Sequence, residues 1–274
     1  MARFETWESY FYPETYNPVT GSGTLRNLFD ERDDDVLRVL EYGSTRDRQR
    51  ELRLGLVPVA HTFDVAHVRA IHRYLFQDVY EWAGQYRAVN MSKGSGRGFA
   101  DVKTGEVDRY LGDVHRLVAS TGWGRLDREE FGARAAEAFA YLNQAHPFRE
   151  GNGRSSKVFM EHVAEQSRYV LDFERVTPLE WNQASEFSRP DLHAYDPVPD
   201  SLVPVFRTIA VDRPNAAAQP GDDASRERSP LRASYPQAAT EAPRTSTQRP
   251  VDGPRRRGPG MPGQRRAPGR GEGR

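Results

Sequence analysis

The chain has 274 residues, no cysteine, and 39 basic against 39 acidic residues. The missing cysteine excludes disulfides, thiolate nucleophiles and Cys-ligated zinc or iron–sulfur centres. No apolar run reaches the roughly 20 residues that span a bilayer. The zero net charge conceals an asymmetry: residues 213–274 carry 13 Arg against 6 Asp and Glu, with 10 of the 19 prolines and 8 of the 23 glycines. Such a stretch buries too little apolar surface to offset chain entropy, so it reads as a disordered, basic tail behind a folded part of 1–212. A run such as Arg255-Arg256-Arg257 can attract nucleic acid. The N-terminus lacks the apolar core of a signal peptide, and the expected location is cytoplasmic.

Residues 1–24 mix aromatics with turn formers, Tyr10, Phe11, Tyr12 and Pro13 and then Pro18, Gly21 and Gly23. They read as an extended arm laid over a core, with its aromatics as packing residues. Leu25, Leu28 and Phe29 suggest a short helix. A second helix opens at the Asp33-Asp34-Asp35 run, which suits a helix N-terminus, and closes at Gly43. Residues 44–55 are charged and helix-compatible. From Asp64, an N-cap, to Ala83, Val65, Val68, Ile71, Leu75, Phe76, Val79 and Trp82 recur at three- and four-residue steps, which predicts one long amphipathic helix ended by Gly84. His67 and His72 lie five apart, which does not place them on one face at metal-ligand spacing, and both are read as structural.

Residues 85–101 break the helical period and read as a short strand or hairpin arm with the tip Gly94-Ser95-Gly96-Arg97-Gly98, without the Gly-Lys-Ser/Thr ending of a P-loop. Helices follow over Glu106–Ala119, from the Asp127 cap to about Gln144 with Glu130 completing a capping box, over about Gly153–Gln166, from Thr177-Pro178 to about Ser188, and over about Ser201–Val211. The fold class is all-α with one small β element.

One stretch resists explanation as packing: His146-Pro147-Phe148-Arg149-Glu150-Gly151-Asn152-Gly153-Arg154. Pro147 ends one helix, and Gly153-Arg154 starts the next. A helix N-terminus offers unpaired N–H groups and partial positive charge, a ready anion site. Gly151 and Gly153 let an anion approach closely. Asn152 adds side-chain donors. Arg149 and Arg154 bring planar cations suited to phosphate. Glu150 among such groups makes sense if Mg²⁺ stands between it and the phosphates. His146 has the pKa of a general base. The set points to phosphoryl or nucleotidyl transfer.

The same nine residues resemble the signature of the Fic family, H-x-F-x-[DE]-G-N-[GK]-R, at every position. Phe76-Gln77-Asp78-Val79-Tyr80-Glu81-Trp82-Ala83-Gly84-Gln85-Tyr86-Arg87 and Val89-Asn90-Met91-Ser92-Lys93-Gly94 are also similar to that family, and the resemblance covers about 25–212. It implies a Fic-type helical domain with a small β-hairpin flap, acting as a protein adenylyltransferase that moves AMP from ATP to a Ser, Thr or Tyr hydroxyl of a target protein. By position, the resemblance makes His146 the base and Glu150 the Mg²⁺ ligand. Gly151, Asn152 and Gly153 become the anion hole, and Arg149 and Arg154 the holders of the β- and γ-phosphates. The arm containing Lys93, Gly94, Gly98, Phe99 and Ala100 matches the flap over the nucleotide, which aligns the target by backbone pairing. Adenine contacts are expected from the helix near Trp181 to Ala184.

Gly153 favours adenylylation over the Doc branch, which has Lys there and acts as a kinase. The family's inhibitory pattern, [ST]-x-x-x-E-[GN], whose Glu pairs with the last motif Arg, is not matched. Glu272-Gly273 comes closest, with Pro268 at the Ser/Thr position. The Tyr-x-Tyr-Pro region and Leu25-Arg26-Asn27 are similar to the toxin subgroup, whose antitoxin is a separate protein and whose known targets are topoisomerases. The alternatives are a different donor such as UTP or CDP-choline, a Doc-type kinase, or a non-catalytic protein binding partners or nucleic acid through its tail.

Overall fold

The computed structural model of the chain describes residues 4–93, 98–214 and the backbone of 240–241. Among the described residues there are seven α-helices: α1 Asp34–Arg53, α2 Val65–Phe76, α3 Glu106–Ser120, α4 Arg128–Ala145, α5 Asn152–Ala164, α6 Pro178–Phe187 and α7 Val203–Ile209. The all-α expectation holds. α4 is the hub, packed against α3, α5 and α7, while α2 lies against α1, α3 and α5. The alanines of α4 at 135, 136, 138 and 140 are all buried, which lets neighbouring backbones come close. The Asp127–Glu130 and Thr177–Glu180 capping boxes are both formed.

Three element boundaries differ from the sequence reading. α1 runs through Gly43 instead of closing there. Asp33 caps it by accepting from the amides of Asp35 and Val36 at 2.9 and 3.1 Å. Gly43 has open space around it, and its intrinsic cost of about 1 kcal/mol is absorbed by a 20-residue helix packed on α2. α2 stops at Phe76, not Ala83. There the Phe76 carbonyl accepts from both Val79 and Tyr80 at 2.9 Å, and a buried turn carrying Val79, Tyr80 and Trp82 leads to Gly84 at φ 77°. The apolar period persisted because the turn is buried as deeply as the helix. The short helix expected at 25–29 is absent. Leu25 bridges Phe11, and Asn27 holds a loop, accepting at Oδ1 from the amides of Phe29 and Glu31 at 3.1 and 3.0 Å.

Among the described residues two small sheets are present where one β element was expected. β2 Tyr169–Leu171 pairs antiparallel with β3 Ala210–Asp212, which cuts α7 short, with Tyr169 opposite Asp212. β1 Met91–Ser92 pairs antiparallel with β4 Thr240–Glu241, with Met91 opposite Glu241. Apart from 213, 214 and the backbone of 240–241, the expected disordered tail lies outside the described residues. No helix among them is long and apolar enough to cross a membrane. The aromatics of the N-terminal arm pack as expected: Trp7, Tyr10, Phe11 and Tyr12 are all buried.

Candidate active site

α4 ends at Ala145, and its C-cap, His146, takes the left-handed conformation at φ 38°, ψ 57°. The loop 147–151 then turns the chain into α5, with Gly151 as its N-cap at φ 83°. A Cβ on Gly151 would lie 2.2 Å from the Phe76 ring, so no other residue fits without displacing buried packing. The first amides of α5, at Asn152, Gly153 and Arg154, open toward this loop and lack partners within the helix.

The loop is held from several sides by groups outside the motif. His72 accepts from the Gly84 amide at Nδ1 (2.8 Å), so its Nε2–H donates to the Glu150 carbonyl at 3.0 Å. Its ring stacks on Phe148 at 3.7 Å between centroids. Full burial pushes His72 down to about 3, so the ring is neutral. Arg87, itself buried, donates to the His146, Val89 and Ala100 carbonyls at 2.8, 2.7 and 2.5 Å, tying the loop to the base of the flap. Asn152 accepts from the Phe148 amide at 2.9 Å and donates to the Phe148 carbonyl at 2.7 Å. Its side-chain amide thus braces the loop, using one of its two N–H donors to do so.

The His146 ring is buried and stacks on Phe99, 3.7 Å between centroids and 8° between planes. Burial is the main cause that holds it well below the usual imidazole range, and the charges of Lys93, Arg87 and Arg189 add to it. Its Nε2 is buried with no hydrogen-bond partner. A neutral imidazole with an unpartnered nitrogen is what a proton acceptor requires.

Glu150 keeps 34% of its side-chain surface exposed. Burial pushes its carboxyl up, but Lys93, Arg154 and the Gly151 amide outweigh this and bring it below its usual value. The Gly151 amide donates to Glu150 Oε1 at 3.0 Å. Arg149 is buried under the arm, 4.0 Å from the Trp7 ring and 5.1 Å from Phe11, and burial lowers its pKa. Arg154 donates to Glu41 and, at 3.1 Å, to Thr45 Oγ1. Burial pushes Arg154 down, and Glu41 and Glu150 more than offset it.

The flap residues converge on the same place. Gly98 bridges Ser92, and its carbonyl accepts from Gln144 at 3.3 Å. The Phe99 amide donates to Met91 and the Ala100 amide to Gln144, at 2.9 and 3.0 Å. Lys93 interacts with Glu150, though burial lowers its pKa. Gly94 lies outside the described residues. Trp181 and Ala184 lie on α6, whose Ser185 carbonyl accepts from Asn143 at 2.8 Å. Both are buried, and Trp181 packs edge-on against Phe139 and Phe206. Sequence reasoning missed His72, Arg87, Glu41 and Thr45. For Glu41 and Thr45 a signal existed, since they fall at i, i+4 in register with Leu37, on the inward face of α1.

Comparison with known proteins fits this geometry. A sequence model of the Fic/DOC family matches residues 62–164, which span α2 through α5. The chain is 35% identical over 177 residues to the protein adenylyltransferase VbhT of Bartonella schoenbuchensis, across 64% of this chain but only 36% of that protein. It is 36% identical over 171 residues to the probable protein adenylyltransferase y4lH of Sinorhizobium fredii, across 61% of this chain and 85% of that one. Among solved structures, the ADP-bound N-terminal Fic domain of a putative cell filamentation protein from Bartonella quintana superposes with a TM-score of 0.61 at 29% identity, covering 76% of this chain and 96% of that one. BepC of Bartonella tribocorum, solved with AMPPNP, shares the fold at a TM-score of 0.63 and 24% identity, covering 75% of this chain and 98% of that one. On the family-model match to residues 62–164 and the 36% identity to a relative covered over 85% of its length, the chain belongs to the Fic/DOC family.

Proposed function

We propose that this protein is an adenylyltransferase that moves AMP from ATP to a Ser, Thr or Tyr hydroxyl of a target protein. The observation that carries the reading is the His146 ring, neutral and buried with an unpartnered Nε2. It sits beside a helix N-terminus ringed by Lys93, Arg149 and Arg154. The target hydroxyl gives its proton to His146 Nε2 as its oxygen bonds to the α-phosphorus; the α–β anhydride bond breaks, and pyrophosphate leaves. The α5 amides at Asn152, Gly153 and Arg154 face the charge that develops, with no reorganisation needed. Arg149 and Arg154 hold the outer phosphates, and the flap residues Lys93, Gly98, Phe99 and Ala100 cover the nucleotide.

Glu150 suits Mg²⁺: one ionised, partly exposed carboxylate among cations is the usual protein share of a site completed by phosphates and water. When bound, the ion would neutralise charge on the phosphates. Glycine at 153 supports AMP transfer over a kinase reaction. The likeness to adenylyltransferases supports ATP over UTP or CDP-choline as donor. A role as the toxin of a toxin–antitoxin pair, with a separate antitoxin and a topoisomerase as target, belongs to the same proposal and is supported by the resemblance of the N-terminal region. Contact of the basic tail with nucleic acid rests on its charge, and a cytoplasmic setting is part of the same proposal.

The test is incubation with lysate and ATP labelled at either the α- or the γ-phosphate. Protein labelled from the α position alone, and lost in His146→Ala, is the expected result. Label arriving from the γ position would replace this reading with a kinase.

A further inference from the structure

Glu41 is a buried carboxylate on α1, far in sequence from the motif, and both of its oxygens are engaged. Oε1 accepts from Arg154 and Oε2 from the hydroxyl of Tyr80, a residue that is itself 2% exposed. One turn further along the same face, Thr45 Oγ1 accepts from Arg154 Nη1 at 3.1 Å and donates to the Glu41 carbonyl at 2.8 Å. The flat guanidinium of Arg154 also lies 4.7 Å from the Phe76 ring and 4.9 Å from the Tyr42 ring. Both terminal nitrogens are thus clasped from α1, and aromatic rings fix the plane. Of the five N–H donors on a guanidinium, these contacts use two, which leaves donors for an anion at the α5 N-terminus.

We infer that Glu41, with Thr45, is a positioning residue for Arg154, presenting its remaining donors to the outer phosphates of the nucleotide. The inference rests on the reading of Arg154 as a phosphate-binding residue. A carboxylate on Arg154 could instead compete with phosphate and restrain the enzyme. The structure argues against that. A competitor has to leave, whereas Glu41 sits in the middle of a 20-residue helix packed on α2, with its second oxygen tied to a buried tyrosine. It is a permanent neighbour, and the positions it fixes are fixed whether or not ligand is present.

The test compares ATP and AMP binding by calorimetry in the whole chain, for Glu41→Gln, Thr45→Val and Arg154→Gln, with thermal melts to monitor folding. A glutamine cannot accept from both Arg154 and Tyr80, because one of its two heads is a donor. Glu41→Gln is expected to weaken ATP about tenfold, the loss of one charge-assisted contact, and Thr45→Val somewhat less. AMP, which lacks the outer phosphates, should bind as before. A purely structural role would weaken both nucleotides together or neither. If Glu41→Gln fails to fold, Thr45→Val, a near-isosteric change, carries the test. ATP affinity unchanged or raised in the α1 variants, while Arg154→Gln loses it, overturns this inference alone. ATP affinity retained in Arg154→Gln overturns the phosphate reading of Arg154 and the inference with it.

Discussion

Replacing Gly151 by alanine tests whether the loop geometry is imposed by Phe76. Two costs can be separated. Gly151 sits at φ 83°, where an L side chain costs roughly 1–2 kcal/mol. The added Cβ would also meet Phe76 at 2.2, 2.3 and 2.9 Å from three ring carbons. That ring is fully buried and stacked on His72 at 4.6 Å, so it cannot swing aside freely. Overpacking of this kind costs about 1–3 kcal/mol, for a total of about 2–5 kcal/mol. Urea denaturation at constant m-value reads it. The steric part is isolated by Phe76→Leu in a double-mutant cycle. If the clash is real, the two changes together destabilise by at least ~1 kcal/mol less than their sum. Strict additivity, or an unfolding free energy within about 0.5 kcal/mol of the parent for Gly151→Ala, would refute the reasoning.

Arg87→Met removes three donors from the His146, Val89 and Ala100 carbonyls and should cost about 3–5 kcal/mol, read by denaturant titration, with faster proteolysis of the flap. Asn152→Ala strips both bonds to the Phe148 backbone and is expected to lose about 2 kcal/mol and most transferase activity. The buried histidines make stability pH-dependent. Burial lowers His67 to about 4 and His162 and His72 to about 3, so each takes up a proton more readily when unfolded. Their contribution is complete above the unfolded pKa of about 6.5 and falls as the pH drops below it, by at most about 2 kcal/mol per ring by pH 5. A denaturation midpoint that stays flat between pH 7 and pH 5 would contradict this.

Much of the site was legible because its signals are local. The nine motif residues are adjacent in sequence, and the caps of α4 and α6 are read from residues three apart. What escaped depends on distant partners. Sequence spacing separates His67 from His72, yet the ring that meets His67 is His162. The two hydrogen-bond at 2.9 Å, and His61 stacks on His162 at 4.0 Å. Nothing local says that Arg87 points inward at carbonyls from the motif and the flap. Gly43 looked like a helix end because propensity is a weak prior against the packing of a long capped helix. Likewise, no local signal shows that Trp181 fills the core between α4 and α7.

The division of labour within the motif follows from these contacts. Asn152, Phe148 and Gly151 shape the loop itself: one amide N–H and the amide oxygen on the Phe148 backbone, the ring on His72, the glycine on the space under Phe76. What remains toward a ligand includes the His146 nitrogen, the Glu150 carboxylate, the α5 amides and the cations. Those cations are unequal. Arg154 is raised by its carboxylate neighbours, whereas burial lowers Arg149 and Lys93. Two positive charges held where burial disfavours them, beside the positive end of a helix, cost stability in the empty protein. On the proposed reading a polyphosphate reverses that term for both at once, while Lys93 also adds to the burial that keeps His146 neutral. Substitutions at Lys93 are therefore expected to act on both proposed steps, on nucleotide affinity and, as a smaller contribution beside burial, on the pH at which His146 can accept a proton.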